Sequence, residues 1–295
     1  MRFSIIANLQ RPDASDSVIA AIKWCLKNRN DVCLCEDIAA EIKFSVDTCP
    51  RSQLWKCSDV IVSMGGDGTI LASVRAIGEH PLPILGINLG SLGFLTQITG
   101  DRLEEALERV AANRYIIEER MVLKTEVLNG HQLESPFALN DVVIDRGNIG
   151  RVINLSLYSG GDYACSYTAD GLIVSTPTGS TAYSLAVGGP ILYPDMKAII
   201  VTPIAPFSLT SRPLIFPSDK ALEIRLRSEH GSGTLTIDGQ VATDVNPNGA
   251  VRISRAGHSA SFIRFEENSF YDILRRKLHW GKLPVVDHRK SDFRE

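Results

Sequence analysis

The chain has 295 residues, 31 Lys and Arg against 34 Asp and Glu for a formal net charge of −3, and 44% hydrophobic against 22% charged residues. That balance excludes wholesale disorder and gives no general electrostatic case for nucleic acid or an anionic membrane as partner. The length suits two modest folded domains, no apolar run reaches a membrane span, and small molecules become the expected partners.

The first residues, "MRFSIIANLQRPDAS", hold an apolar stretch that Asn8, Gln10 and Pro12 break too early for an export signal, so a cytoplasmic location is expected. "RFSIIA" reads as a strand, and "DSVIAAIKWCLKNR" as a helix with Val18, Ile22 and Leu26 on one face. Five of the six cysteines, Cys25, Cys33, Cys35, Cys49 and Cys57, fall in the first sixty residues. "CLC" lacks metal-site spacing and no paired histidines follow, so they are read as small buried hydrophobes.

"VIVSM" and "PILGINLG" are continuous apolar runs of the kind that form parallel strands covered on both faces. "GDRLEEALERVAANR" reads as a helix, with Asp101 as cap, Glu104 three residues on, and Leu103, Leu107 and Val110 on one face. From Met121 to Phe265 short alternating runs separated by Gly, Ser, Pro and Asn predict a β-rich domain. A last helix, "NSFYDILRRKL", carries Phe270, Ile273, Leu274 and Leu278, and the polar tail "HRKSDFRE" reads as a frayed end. The expected fold is α/β plus all-β: a doubly wound α/β domain over 1–98, a β-sandwich-like domain over 99–266, and a C-terminal helix, 267–295, returning to the first domain.

Chemistry concentrates in a few stretches. "GGDGT", residues 65–69, follows a strand and opens a helix, where free backbone N–H groups make an anion site. Its glycines have neither dinucleotide-fingerprint nor P-loop spacing, and no lysine follows. Asp67 would repel a bare phosphate there, so it suits a hydroxyl or Mg²⁺ better; the plainer alternative is that it caps the helix. "GINLGSLGFLT" runs a second strand into a glycine-rich turn. "YTADGLIVSTPTGSTAYSLAVGGPI" supplies an Asp-Gly turn, then a dense set of hydroxyls and amides, with Ser180 or Thr181 placed to cap a short helix. "TIDGQ", residues 236–240, reads as a hairpin tip.

Together "GGDGT", "NLGSLGFLT", "ALNDVV", "ADGLIVSTPTGSTAYSLAVGGPI", "TSRP" and "DGQ", in that order, resemble the bacterial-type NAD kinases. The resemblance implies an enzyme that uses Mg²⁺ and ATP as donor and places the γ-phosphoryl group on the 2′-hydroxyl of the adenosine ribose of NAD, forming NADP. It implies Asp67 as general base and NAD contacts from Asp67, Gly68, Phe94, Asn140, Asp141, Asp170 and the run Thr181, Ala182, Tyr183, Ser184, Leu185 and Ala186. Arg151, Thr168, Ala205 and Gln240 match further contact positions, no metal ligands are assigned, and relatives of this kind are commonly homo-oligomers, dimers or tetramers.

Three positions depart from the family pattern. Asp141 stands where Glu is frequent, Phe207 precedes "SLTSRP" where His is frequent, and Thr168 replaces an arginine common before "ADG". "GGDGT" is shared with lipid and sphingoid kinases, which are the alternative together with a non-catalytic nucleotide-binding regulator. No apolar entrance or basic interfacial stretch supports the lipid alternative.

Overall fold

The computed structural model describes residues 1–280 apart from 91, 92, 97, 129, 131, 148, 149, 229, 230, 267 and 268, with the backbone alone of Val241 and Ala242. The apolar runs form parallel strands β1 (Arg2–Ala7), β2 (Asp31–Cys35), β3 (Asp47–Cys49), β4 (Val60–Gly65) and β5 (Ile84–Asn88), side by side as β5-β4-β1-β2-β3. Between them run α1 (Ala14–Lys27), α2 (Glu36–Ile42), α3 (Leu54–Cys57) and α4 (Asp67–Ile77). Every residue of β4 and β5 is buried, which requires cover on both faces of the sheet. The strand order reverses between β1 and β4, and in an open α/β sheet the crevice at such a reversal, beyond the carboxyl ends of the strands, receives ligands.

After β6 (Ile98–Thr99) and α5 (Leu103–Ala111), the chain becomes β-rich: β7 (Ile116–Leu128), β8 (Phe137–Ala138), β9 (Asp141–Asp145), β10 (Ile153–Ser159), β11 (Asp162–Ala169) and β12 (Gly171–Ser175). The short helix α6 (Tyr183–Ala186) precedes β13 (Ala198–Ile204), β14 (Leu214–Pro217), β15 (Leu222–Arg227), β16 (Gly233–Ile237), β17 (Val241–Val245) and β18 (Ala250–Arg264), and α7 (Phe270–Leu278) follows. One sheet, β14-β13-β12-β9-β16-β17, is antiparallel throughout. The other, β11-β10-β15-β18, continues into the parallel strands because Phe262 of β18 lies in parallel register with Ile84 of β5. Val142, Ile144, Leu172 and Val174 of the first sheet share a core with Leu155, Leu157, Ile224 and Ile253 of the second. The result is the expected α/β plus sandwich architecture, with one long mixed sheet running through both halves.

Several local expectations are corrected. Leu26 at the end of α1 is exposed, while Val18 and Ile22 are buried. Asp101 does not cap α5: it sits inside a 3-10 turn, Gly100–Arg102, so the helix starts two residues later, and Arg102 pairs with Glu105. Neither Ser180 nor Thr181 caps α6, because their hydroxyls donate to the carbonyls of Pro177 and Thr178 within the preceding turn. At α7, Ser269 and Asp272 form a reciprocal capping box. Ile273 and Leu274 are buried as expected, and the rings of Phe270 and Tyr271 meet Tyr193 of the segment before β13. The tail beyond residue 280 lies outside the described residues.

All six cysteines are free thiols, four of them buried, and burial pushes the Cys25 thiol up to about 12, the mark of an inert core residue. Among the described residues no helix is long and apolar enough to cross a membrane.

Candidate active site

The turn from β4 into α4 sits at the reversal of strand order. Gly66 is the N-cap of α4 and offers no side-chain cap; Asp67 is the helix's first residue. Its carboxylate turns to the loop after β5 and not to its own helix. Oδ2 accepts the N–H of Phe94 at 2.9 Å, and Oδ1 accepts the N–H groups of Leu95 and Thr96 at 3.1 and 3.3 Å and the Thr96 hydroxyl at 3.4 Å. A carboxylate offers about four lone-pair sites, so Oδ2, with one described donor, keeps capacity for another hydrogen bond. The approach depends on Gly93, where a Cβ would lie 2.0 Å from Asp67 Oδ1.

Asp67 and Gly68 border a cavity of about 420 Å³ with Asn8, Arg11, Arg51 and Gln240. A Cβ on Gly68 would meet nothing within 4 Å, so that edge of the cavity is open. The guanidinium of Arg11 lies between Gly66 and Gly90, 3.7 and 3.5 Å from where their Cβ atoms would stand. Arg11 and a helix N-terminus beside one carboxylate, with Arg51 alongside and paired to Asp37 at 2.5 Å, can hold a polyphosphate and leave the acid facing a hydroxyl.

A second group of expected residues lies on the opposite sheet. Asn140 and Asp141 stand at the entrance to β9, and Asp238 at the tip of the β16–β17 hairpin accepts the N–H groups of Leu139, Asn140 and Asp141 at 2.9, 2.8 and 3.1 Å. On the other side Thr176 N–H and the Ser175 hydroxyl donate to the Asn140 carbonyl, and the Thr176 hydroxyl donates to the Leu139 carbonyl at 2.6 Å. Gly179 is needed there, since a Cβ would fall 2.1 Å from the Asn140 carbonyl oxygen. Burial, with Asp238 alongside, pushes the Asp141 carboxyl up to about 7. Burial also raises Asp238, against the three N–H groups, which favour its ionised form.

Thr181, Ala182 and Leu185 are half-buried, Ser184 is buried against Thr202, and Tyr183 and Ala186 are exposed. Gln240 accepts from Arg75 of α4 at 2.6 Å, which brings the hairpin tip onto the helix that Asp67 begins. Thr168, Asp170 and Ala205 form a separate group at the other end of β12: Asp170 N–H donates to Ile204, Phe207 N–H to Thr168, Asp170 pairs with Arg146 at 2.8 Å, and Ala205 takes φ 43°. Thr168 donates its hydroxyl to Asn154, and Arg151 is exposed ahead of β10. The five residues of β12, about 17 Å at the usual rise, separate this group from Asn140.

Behind the Asp67 loop, Arg120 and Arg264 are both buried and share Glu118, and Arg120 reaches the Thr178 hydroxyl at 3.2 Å. Burial lowers both guanidinium pKa values, that of Arg264 to about 10. Sequence reasoning missed Gly93, Asp238, Arg75 and Arg11 as individuals. Gly93 and Asp238 lay inside motifs already quoted, "GSLGF" and "TIDGQ", where what matters is which atom approaches which; nothing local marks Arg11 or Arg75.

Among the described residues no three His, Cys, Asp or Glu side chains cluster to hold a metal ion. Mg²⁺ commonly binds through one or two carboxylates plus substrate phosphates, so the residues fit a cation delivered with a nucleotide.

A carboxylate set beside a phosphate-ready helix N-terminus at the strand-order reversal defines the chain as a phosphotransferase of α/β-plus-sandwich type. Residues 3–115 match the family model for the ATP-NAD kinase N-terminal domain, and residues 139–265 the model for the ATP-NAD kinase C-terminal domain. The NAD kinase of Geotalea daltonii is 37% identical over 95% of this chain and 99% of its own, and that of Solibacter usitatus 39% identical over 94% and 97%. The crystal structure of yeast NADH kinase complexed with NADH superposes with a TM-score of 0.90 at 27% identity, covering 97% of this chain and 89% of that one. The chain belongs to the NAD kinase family.

Proposed function

We propose that the chain moves the γ-phosphoryl group of ATP to the 2′-hydroxyl of the adenosine ribose of NAD, with Asp67 as general base. The observation that carries this reading is the Asp67 carboxylate, fixed by three backbone N–H groups yet with Oδ2 open to a further donor, on the rim of a cavity holding Arg11 and Arg51. Oδ2 accepts the ribose hydroxyl and takes its proton as the new P–O bond forms and the bond to ADP breaks. Phosphoryl transfer needs mainly positioning and charge neutralisation, which the arginines and the N-terminus of α4 supply on the donor side. Mg²⁺ bound to ATP would add charge neutralisation at the phosphates.

On the acceptor side Asn140 and Asp141 hold adenine and ribose, Gly68 and Phe94 border the sugar, and Thr181 to Ala186 line the pocket with Tyr183 as an aromatic face. Gln240 closes the rim, while Arg151, Thr168, Asp170 and Ala205 serve the far end of the dinucleotide. The chain divides functionally into 1–98 and 99–266, with α7 as a C-terminal element whose Phe270 and Tyr271 rings meet Tyr193 of the second part. The exposed Phe207 and Leu209, 82% and 93% accessible, lie near the edge strand β14 with its exposed Leu214 and Ile215 and support a homo-oligomer. Six free thiols fit a reducing cytoplasm.

The test is purified protein with NAD, ATP and Mg²⁺. Formation of NADP is expected; phosphorylation of diacylglycerol with NAD untouched would overturn the reading.

A further inference from the structure

We infer that Asp238 is a positioning residue for the reaction: its carboxylate sets the place of Asn140 and Asp141, and through them the place of the adenosine ribose, without touching substrate itself. The inference rests on the proposal that Asn140 and Asp141 contact NAD.

Asp238 is 9% exposed and stands at the hairpin tip with φ 48°, a left-handed conformation that Asp and Asn tolerate better than most residues. Both carboxylate oxygens are used. Oδ2 takes Leu139 N–H and Oδ1 takes Asn140 and Asp141 N–H, while the backbone N–H of Asp238 donates to the Asp141 carbonyl at 3.0 Å. Four hydrogen bonds therefore join one residue to three consecutive residues of another strand's entrance. An ordinary sheet ladder would not use a side chain here; the backbone N–H groups of 139–141 turn inward, away from ladder partners, and find a carboxylate in their place.

The tip has its own anchor. Two residues on, Gln240 accepts from Arg75 at 2.6 Å, and Arg75 belongs to the helix whose first residue is Asp67. The nucleoside pair and the proposed base are thus referred to the same three-residue tip, Asp238–Gly239–Gln240. The charged groups that face Asp238 are Asp141, which repels it, and Arg75, which favours its ionised form. In its ionised form the Asp238 carboxylate holds the three donors through charge-assisted hydrogen bonds, about twice as strong as neutral ones.

The experiment compares Asp238→Asn and Asp238→Glu with Asn140→Ala and Asp141→Ala, measuring the Michaelis constants for NAD and ATP, kcat and thermal melting for each. Asparagine keeps size and backbone preference but sets an NH₂ against one or two of the N–H donors; glutamate keeps charge and shifts it by one methylene. The expected result is a KM for NAD raised about ten-fold or more in both Asp238 variants, from one or two lost charge-assisted bonds. KM for ATP should change much less, by about two-fold, since Asn8, Arg11, Arg51 and Asp67 border the donor cavity from other elements and only Gln240 of the hairpin tip reaches it. A purely structural residue would lower melting temperature and active fraction and leave KM for NAD alone. If Asn140→Ala and Asp141→Ala raise KM for NAD while a folded Asp238 variant does not, Asp238 has no positioning role. If the two alanine variants leave KM unchanged, the underlying assignment of the pair fails and the inference goes with it. Should the asparagine variant not fold, the glutamate variant decides.

Discussion

Asp67 and Gly93 are packed so closely that a Cβ on the glycine would overlap the carboxylate, 2.0 Å from Oδ1 and 2.7 Å from Cγ. The acid and the loop that holds it are thus one unit, and the loop can wrap the carboxylate only where it carries no side chain.

Gly93→Ala follows from that contact. The added methyl must push Asp67 or the 94–96 backbone aside by about 1 Å or more, a displacement that costs on the order of 10²-fold in rate when it falls on a positioned group. The expected outcome is a kcat for NADP formation lowered at least that much, with a melting temperature a few degrees lower. A rate within three-fold of the parent would show that the carboxylate position does not matter.

Asp67→Asn separates chemistry from architecture. The amide has one oxygen for the donors that now share two, so either Phe94 N–H or the Leu95–Thr96 pair loses its acceptor, at roughly 1–3 kcal/mol of stability. It cannot take a proton from the ribose hydroxyl, and turnover should fall by about 10²–10⁴ with NAD affinity by calorimetry largely retained. Turnover near the parent value would remove Asp67 as base.

Much of this was legible in the sequence, and the limits have physical causes. The apolar runs "VIVSM" and "PILGINLG" gave parallel buried strands because burial on both faces leaves no polar alternation. The helix caps failed where an extra turn intervened: at Asp101 a 3-10 turn displaced the start, and at Ser180 the hydroxyl found a nearer carbonyl. Asp67 could be singled out because an acid among glycines is chemically odd. That Gly93 to Thr96 hold it could not be read, even with Phe94 named as an NAD contact, since they lie on another strand's loop and only the fold sets the register between them. Asp238 was hidden for a similar reason: a hairpin tip looks local, whereas its carboxylate works on residues about a hundred positions earlier in the chain.

Phe207 and Leu209 offer a test of assembly. Two large apolar side chains this exposed are costly on a monomer's surface, so a Phe207→Glu, Leu209→Glu double variant should shift the scattering mass toward the 32.3 kDa of a single chain with its fold intact. A parent protein that already scatters as one chain at micromolar concentration would end the homo-oligomer proposal.

Asp141 yields a pH prediction whose sign is fixed by burial. Its carboxyl titrates at about 7 in the folded protein, against about 3.9 for an exposed aspartate in the unfolded chain. The folded state holds the proton more tightly, so the stability this group contributes is fully present below about pH 4 and is lost as pH rises through 7. Asparagine does not titrate. The melting temperature of Asp141→Asn relative to the parent should therefore climb between pH 5 and pH 8 and level off above, by an amount worth roughly 2–4 kcal/mol at most. Catalysis should run the other way: the ionised carboxylate is the better acceptor for ribose hydroxyls, so KM for NAD in the parent should fall between pH 6 and pH 8, while the asparagine variant shows a flatter profile. Parallel melting curves for the two proteins across this range would mean that Asp141 titrates as an ordinary exposed carboxylate, and would detach the pH dependence of NAD binding from this residue.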